Sequence, residues 1–309
     1  PPKAHKKPLS EREKATLKSW IEAGAPYEEY WAFVPPKMPA AAKVKNAAWS
    51  RQPIDLYVLK KLEAEGLKPA AEADKRALIR RLTFDLTGLP PTRDEVRAFI
   101  ENKKPGAYEE LVDKLLSRPQ YGEHMARYWL DLVRFADTNG MHKDFYRNSI
   151  AYRNWVIRAC NTNLGYDDFI RYQLSGDLYP DATGDQLAAS GFNRLHLIID
   201  RGTALPEESF FKNVVDRVTA VGTAFMGMSV HCASCHNHKY DPLTQKDFYS
   251  LFAFFNNIDA APETSGGPRN GLQPPIAAVA TPEQQQAKDD LNAVSYTHLR
   301  AHETDSYLV

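Results

Sequence analysis

The chain has 309 residues, 43% hydrophobic and 25% charged, which is enough apolar material for one large domain or two ordinary ones. Its 39 basic and 39 acidic residues cancel to a formal charge of zero, so no broad field steers it to nucleic acid or anionic lipid. No apolar run of 18 residues occurs, which excludes a spanning helix, and three cysteines are too few for a disulfide scaffold.

Residues 1–26 read as one bounded helix. Ser10 and Glu13 form a capping box, Gly24 suits the position after the helix end, and Pro26 blocks continuation. Residues 27–52 carry Pro35, Pro36 and Pro39 and read as an extended linker, with aromatic anchors at Tyr30, Trp31, Phe33 and Trp49.

From Pro53 the pattern turns helical. Ile54, Val58 and Leu62 form one stripe, ended by Gly66; Leu78, Leu82 and Leu86 form the next, ended by Gly88. Thr92 and Glu95 give a second capping box. Further helices are predicted around 108–117, 125–136, 149–161 and 166–176. The longest covers 206–227, with Val214, Val218 and Val221 on one face. Thr244 caps a last one, on which Phe248, Leu251, Phe252 and Phe255 share a face. Alternation with period two is missing. The fold class predicted is mainly α: an irregular multi-helix domain over 53–260. Residues 261–294, rich in Pro, Gly, Gln and Ala, read as a linker or surface segment. Residues 295–309, "SYTHLRAHETDSYLV", resemble translated read-through of a sequencing adapter, so His298 and His302 are set aside.

The stretch that carries chemistry is "SVHCASCHNHKYDP", 229–242. Haem c attachment needs two thiols spaced to reach two vinyl groups on one porphyrin edge, and a histidine beside the second thiol to ligate iron. Cys232, Cys235 and His236 meet each requirement. A structural zinc is the main rival, but it wants four ligands, usually as two pairs, and no second cysteine pair exists. A redox dithiol would want a βαβ setting, and the surroundings are helical. Cys160, inside an apolar helical run, reads as a small buried side chain. Phe225, Met226, Met228, Tyr240, Phe248, Phe252 and Phe255 are candidates for an apolar wall; Arg217 and Lys239 are candidates to balance haem propionates, with ordinary core and solvated surface as the plain alternatives.

Residues 241–294 contain no Met, His or Cys, so a downstream sixth ligand is closed off there. Met226, Met228, His231 and His238 sit too near the attachment turn to reach the opposite face of the iron. The upstream candidates are His196, in "GFNRLH", and then His142, in "TNGMHKD"; His124 and Met141 come after them. Two filled axial positions favour electron transfer, and an open one favours a haem enzyme.

These stretches resemble planctomycete-type cytochrome c proteins, in particular their central domain of uncharacterised function. The likeness rests on "PIDLYVLKKLEAEGLKPAAEADKRALIRRLTFDLTGLPPTRDEV", "YGEHMARYWLDLVRFADTNG", "GFNRLH" and "VVDRVTAVGTAFMGMSVHCASCHNHKYDPLTQKDFYSLFAFFNN". Residues 1–26 are similar to the last helix of the cytochrome c domain that precedes it, so the rest of that domain and a following C-terminal domain are expected as missing partners in a longer chain. The resemblance implies covalent haem c on Cys232 and Cys235, with His236 as proximal ligand. It also implies export to the periplasm or beyond and a part in electron transfer with an unidentified redox partner. The other readings are a haem enzyme with an open iron site, peroxidase-like or substrate-oxidising, and a structural or binding domain stabilised by Zn. No catalytic residue can be named: Ser-His-Asp spacing, a phosphate loop and HExxH are all missing.

Overall fold

The structure, a computed structural model, describes residues 8–28, 30–139, 144–198, 205–258 and 276–305. Among these residues there are twelve α-helices and no strand; one isolated bridge joins Thr138 and Tyr146. The chain divides into two units, Pro1–Glu72 and Ala73–Val309.

The first unit holds α1 (Glu11–Glu22) and α2 (Pro53–Ala64). The Ser10 hydroxyl accepts from Glu13 N at 3.3 Å, and the Glu13 carboxylate accepts from Ser10 N at 2.7 Å, the predicted capping box. The Ser10 amide and hydroxyl, both donating to the Glu13 carboxylate, hold that carboxyl below its usual range. Yet α1 buries no side chain; Leu17 and Ile21 are exposed. In α2, Pro53 occupies the first turn and Leu59 is buried. Between the helices the Tyr30 ring contacts those of Trp31 and Phe33, while Trp31 itself remains exposed.

The second unit opens with α3 (Lys75–Thr87), α4 (Arg93–Glu101), α5 (Ala107–Leu116) and α6 (Pro119–Leu132). Gly88 ends α3 with φ +68°, a conformation that costs a Cβ-bearing residue more than glycine. Thr92 and Glu95 form the second capping box. Burial opposes charge on Glu95, but the Thr92 amide and the Arg118 guanidinium outweigh it and hold the carboxyl below its usual range. Ile79, Phe99, Ala107, Leu111 and Leu115 close a small core among α3, α4 and α5.

The larger core belongs to α6 and to α7 (Ile150–Asn161), α8 (Tyr166–Ser175), α9 (Gly184–Ala189), α10 (Pro206–Val221) and α11 (Gln245–Phe255). At its centre the Gln173 side-chain oxygen accepts from Tyr152 Oη at 2.6 Å and from Trp129 Nε1 at 2.9 Å. Burial pushes the Tyr152 phenol well above its ordinary value. The last helix, α12 (Pro282–Asp305), runs on through most of the adapter-like residues, and its described side chains are exposed. Among the described residues no helix is long and apolar enough to cross a membrane.

Candidate functional site

The CxxCH turn is built on the end of α10. That helix passes into a π-turn at Gly222–Met226, then breaks at Gly227, whose φ of +63° reverses the chain. A 3-10 turn, Val230–Ser234, follows at once. Its Val230 is buried against Gly222, where an added Cβ would meet Val230 Cγ2 at 2.4 Å. Ala233 is buried too, while Cys232 and Cys235 are exposed and free. The small buried residues seat the turn and the two thiols face outward.

Beyond the turn, a set of local hydrogen bonds fixes the loop. His238 Nδ1 accepts from Asp241 N at 2.8 Å and from Tyr240 N at 3.3 Å. Its proton therefore sits on Nε2, 3.3 Å from Ser229 Oγ, and the imidazole is the neutral tautomer. The Asp241 carboxylate is 3.4 Å from Nδ1, but that nitrogen is already occupied as an acceptor, so the approach is proximity and not an ion pair. Asn237 Oδ1 accepts from Gln245 N at 2.9 Å, and the Ser234 carbonyl accepts from Gln245 Nε2 and Tyr249 Oη, both at 3.1 Å. These bonds tie the turn to the capped start of α11, where Thr244 and Asp247 form another capping box.

His236 is exposed, and its Nδ1 lies 2.8 Å from the Asn237 carbonyl oxygen. A carbonyl only accepts, so Nδ1 carries the proton and the Nε2 lone pair is left for a metal. Two outward thiols on one turn and a following imidazole with Nε2 available form the donor set that haem c takes. No group of three or more His, Cys, Asp or Glu that could hold a metal ion is gathered among the described residues.

His196 is buried, 1% exposed, just after the 3-10 turn Ser190–Arg194; its carbonyl accepts from Arg147 Nη2 at 2.7 Å. His142 and Met141 lie outside the described residues. His124 stacks edge-on against Tyr128 and crowds Gly88. Arg217, a candidate propionate partner, is instead buried at 2% exposure and donates from Nε to the Asn193 carbonyl at 2.7 Å. It sits on the core face of α10 beside Val214, Val218 and Val221, where a flanking position in sequence resembles a surface one. Lys239 is exposed, 5.1 Å over the Tyr240 ring. Of the proposed apolar wall, Phe248 and Phe255 are core, and Phe225 packs on Trp129 and Phe192. Met226 and Tyr240 are exposed. Cys160 is half-buried, and burial pushes its thiol up.

Sequence reasoning missed the buried polar group around Arg147, which reaches the carbonyls of Arg194 and His196 and the Asn139 side chain. It also missed Asn237 and Gln245 as ties of the turn; the only sequence signal near them was the helix cap at Thr244.

No curated protein and no solved structure matches the chain. The family model PSCyt2, described as "Protein of unknown function (DUF1549)", matches residues 53–260, about two thirds of the chain, and the chain belongs to that family.

Proposed function

We propose that this is an exported c-type haem protein whose 53–260 region takes part in electron transfer. The observation that carries the reading is the arrangement of one turn: Cys232 and Cys235 exposed and free, and His236 beside them with Nδ1 engaged by the Asn237 carbonyl. Cys232 and Cys235 are the thioether anchors, and His236 Nε2 is the proximal ligand. Haem, when bound, supplies a one-electron couple. The chain's own part is to hold the turn rigid through Val230, Asn237, His238 and Gln245, and to keep the His236 tautomer in which Nε2 can ligate.

The distal side separates electron transfer from a haem enzyme. His196 is the first candidate for it and His142 the second. The His196 backbone carbonyl is held by the Arg147 guanidinium, and the residue is 1% exposed. That burial is the observation favouring the second reading, an open iron position of peroxidase-like or substrate-oxidising type.

The chain is expressed with a cytochrome c maturation system, exported, denatured and weighed. The expected mass is polypeptide plus one haem, with the native spectrum lost in His236→Ala. A polypeptide-only mass, with or without one zinc before denaturation, overturns the haem reading, and zinc would support a structural domain. Carbon monoxide added to the reduced protein decides the distal question. No binding until His196 or His142 is changed to Ala marks a filled site and electron transfer; full binding by the parent marks an open one.

A further inference from the structure

The CxxCH turn closes one end of a strip of surface between α10 and α11. On the α10 side, Thr219 Oγ1 donates to the Val215 carbonyl at 2.8 Å and lies 3.4 Å from Nδ1 of His231, the residue before Cys232. On the α11 side, Tyr249 Oη donates at 3.1 Å to the carbonyl of Ser234, the residue before Cys235. Each cysteine is thus preceded by a residue tied to one of the two helices.

Aromatic rings close the other end. The Phe252 ring lies 5.8 Å from that of Tyr249 and 5.3 Å from that of Phe211, centroid to centroid, which joins α11 to α10. Phe211, Val215 and Thr219 follow one another at helical spacing and share a face of α10. Val215 and Phe252 are half-buried against the larger core and form a floor. Phe211 and Tyr249 stand beside it, 46% and 41% exposed. Contiguous exposed apolar surface of this kind, next to a turn that carries chemistry, marks a contact site.

The neighbouring turn indicates the occupant. Cys232 and Cys235 are exposed, so a macrocycle bonded to their sulfurs starts outside the core and needs apolar cover where it emerges. Several aromatics close in sequence are already committed elsewhere. Phe248 and Phe255 lie in the core, and Phe225 packs on Trp129 and Phe192. The strip offers what those do not: accessible rings, on which a flat conjugated system stacks, reached through Tyr249 from the peptide between the two thiols.

We propose that the porphyrin attached to Cys232 and Cys235 lies over the strip formed by Tyr249, Phe252 and Phe211, with Val215 beneath it. This rests on the haem reading above and adds to it the surface that shields the macrocycle from water. Such shielding is one of the protein's means of setting an iron potential. Phe211, in the first half of α10 and far from the CxxCH motif in sequence, is thereby a haem contact.

The test is hydroxyl-radical footprinting of the full chain, made with and without haem and read by peptide mass mapping. Oxidation of Phe211 and Tyr249 should slow at least about threefold when haem is attached, because a stacked ring loses most of its exposed area. Phe254, 76% exposed on another face of α11, should not change. This arm needs no variant. In a second arm, Phe211→Glu puts a carboxylate against the macrocycle and should favour the ferric form about tenfold, ~59 mV for a one-electron couple. Phe254→Glu adds the same charge away from the strip and should favour it less than about threefold. Both positions are exposed, and thermal melts check that both variants fold. Unchanged oxidation of Phe211 and Tyr249 in a chain that carries haem, or equal shifts in the two folded Glu variants, overturns this placement and leaves the haem reading standing. A chain that takes up no haem overturns both.

Discussion

The second unit contains two polar regions with opposite construction. The CxxCH turn exposes its reactive groups and is held by bonds to residues at most 15 positions away. The Arg147–Arg217 region buries two guanidiniums at 3% and 2% exposure, and their bonds to backbone carbonyls reach across 24 to 49 positions. In the first, the chemistry is written locally and the fold supplies a seat. In the second, the fold gathers charged and amide groups from four segments, and each alone looks like an ordinary turn or helix face. A charged residue next to a motif is thus a poor guide to the motif's electrostatics: Arg217 serves the core and not the turn.

The largest expected effect tests this contrast directly. Arg217→Met should destabilise the chain by about 3 kcal/mol, because it strips a buried carbonyl of its donor and leaves poorly filled space. In a unit of this size that is a fall in Tm of roughly 10 °C. Lys239→Met, beside the exposed Tyr240 ring, should cost less than about 1 kcal/mol. Urea denaturation of both variants measures the difference; equal costs would mean that the two regions do not differ in this way.

Next comes the seat of the turn. Gly222→Ala places a Cβ against Val230 and should cost about 2 kcal/mol. Val230→Ala in the same chain should recover part of that cost, giving a favourable coupling in a double-mutant cycle. Additive costs would show that the contact at 2.4 Å is relieved elsewhere.

The thiols give a smaller, kinetic contrast. In polypeptide made without haem, Cys232 and Cys235 are exposed, while Cys160 is half-buried with its thiol pushed up by burial. Iodoacetamide should label the pair about tenfold or more faster than Cys160 near pH 7, as peptide mass mapping over time would show. Labelling of Cys160 first would contradict the outward placement of the pair.

The smallest effect concerns the cap that links the turn to α11. The Thr244 hydroxyl and amide hold the Asp247 carboxyl below its ordinary value of 3.8. A depressed folded value means that the contribution is fully present above pH 3.8 and is lost as pH falls through the still lower folded value. Thr244→Ala should cost about 1 kcal/mol at neutral pH and flatten this acid limb. An unchanged limb in a pH series of melts would show that the cap does not contribute to it.

Much of the helical framework is legible in the residues. Ser10–Glu13, Thr92–Glu95 and Thr244 each mark a helix start that the structure contains, and Gly88 marks an end. The mainly α reading follows from these marks and from apolar spacing. The segment read as linker or surface was harder: within it Ile276, Ala277 and Val279 line a cavity. The candidate site divides in the same way. Cys232, Cys235 and His236 stand out in the sequence, whereas the Asn237 carbonyl that sets the His236 tautomer does not, because any residue has a carbonyl and only the backbone path decides where it points.

The sequence by itself determined the features with a reach of a few residues: capping boxes closed over three positions, helical stripes, and two thiols followed by an imidazole on one turn. Tertiary structure alone decided the burial of His196 and Arg217, the closeness of Gly222 to Val230, and the cavity beside Asn193. The physical reason is range. A cap or a motif is satisfied within its own loop, so its residues suffice to specify it. Burial is a property of what packs around a side chain, and those neighbours are drawn from helices far apart in the chain.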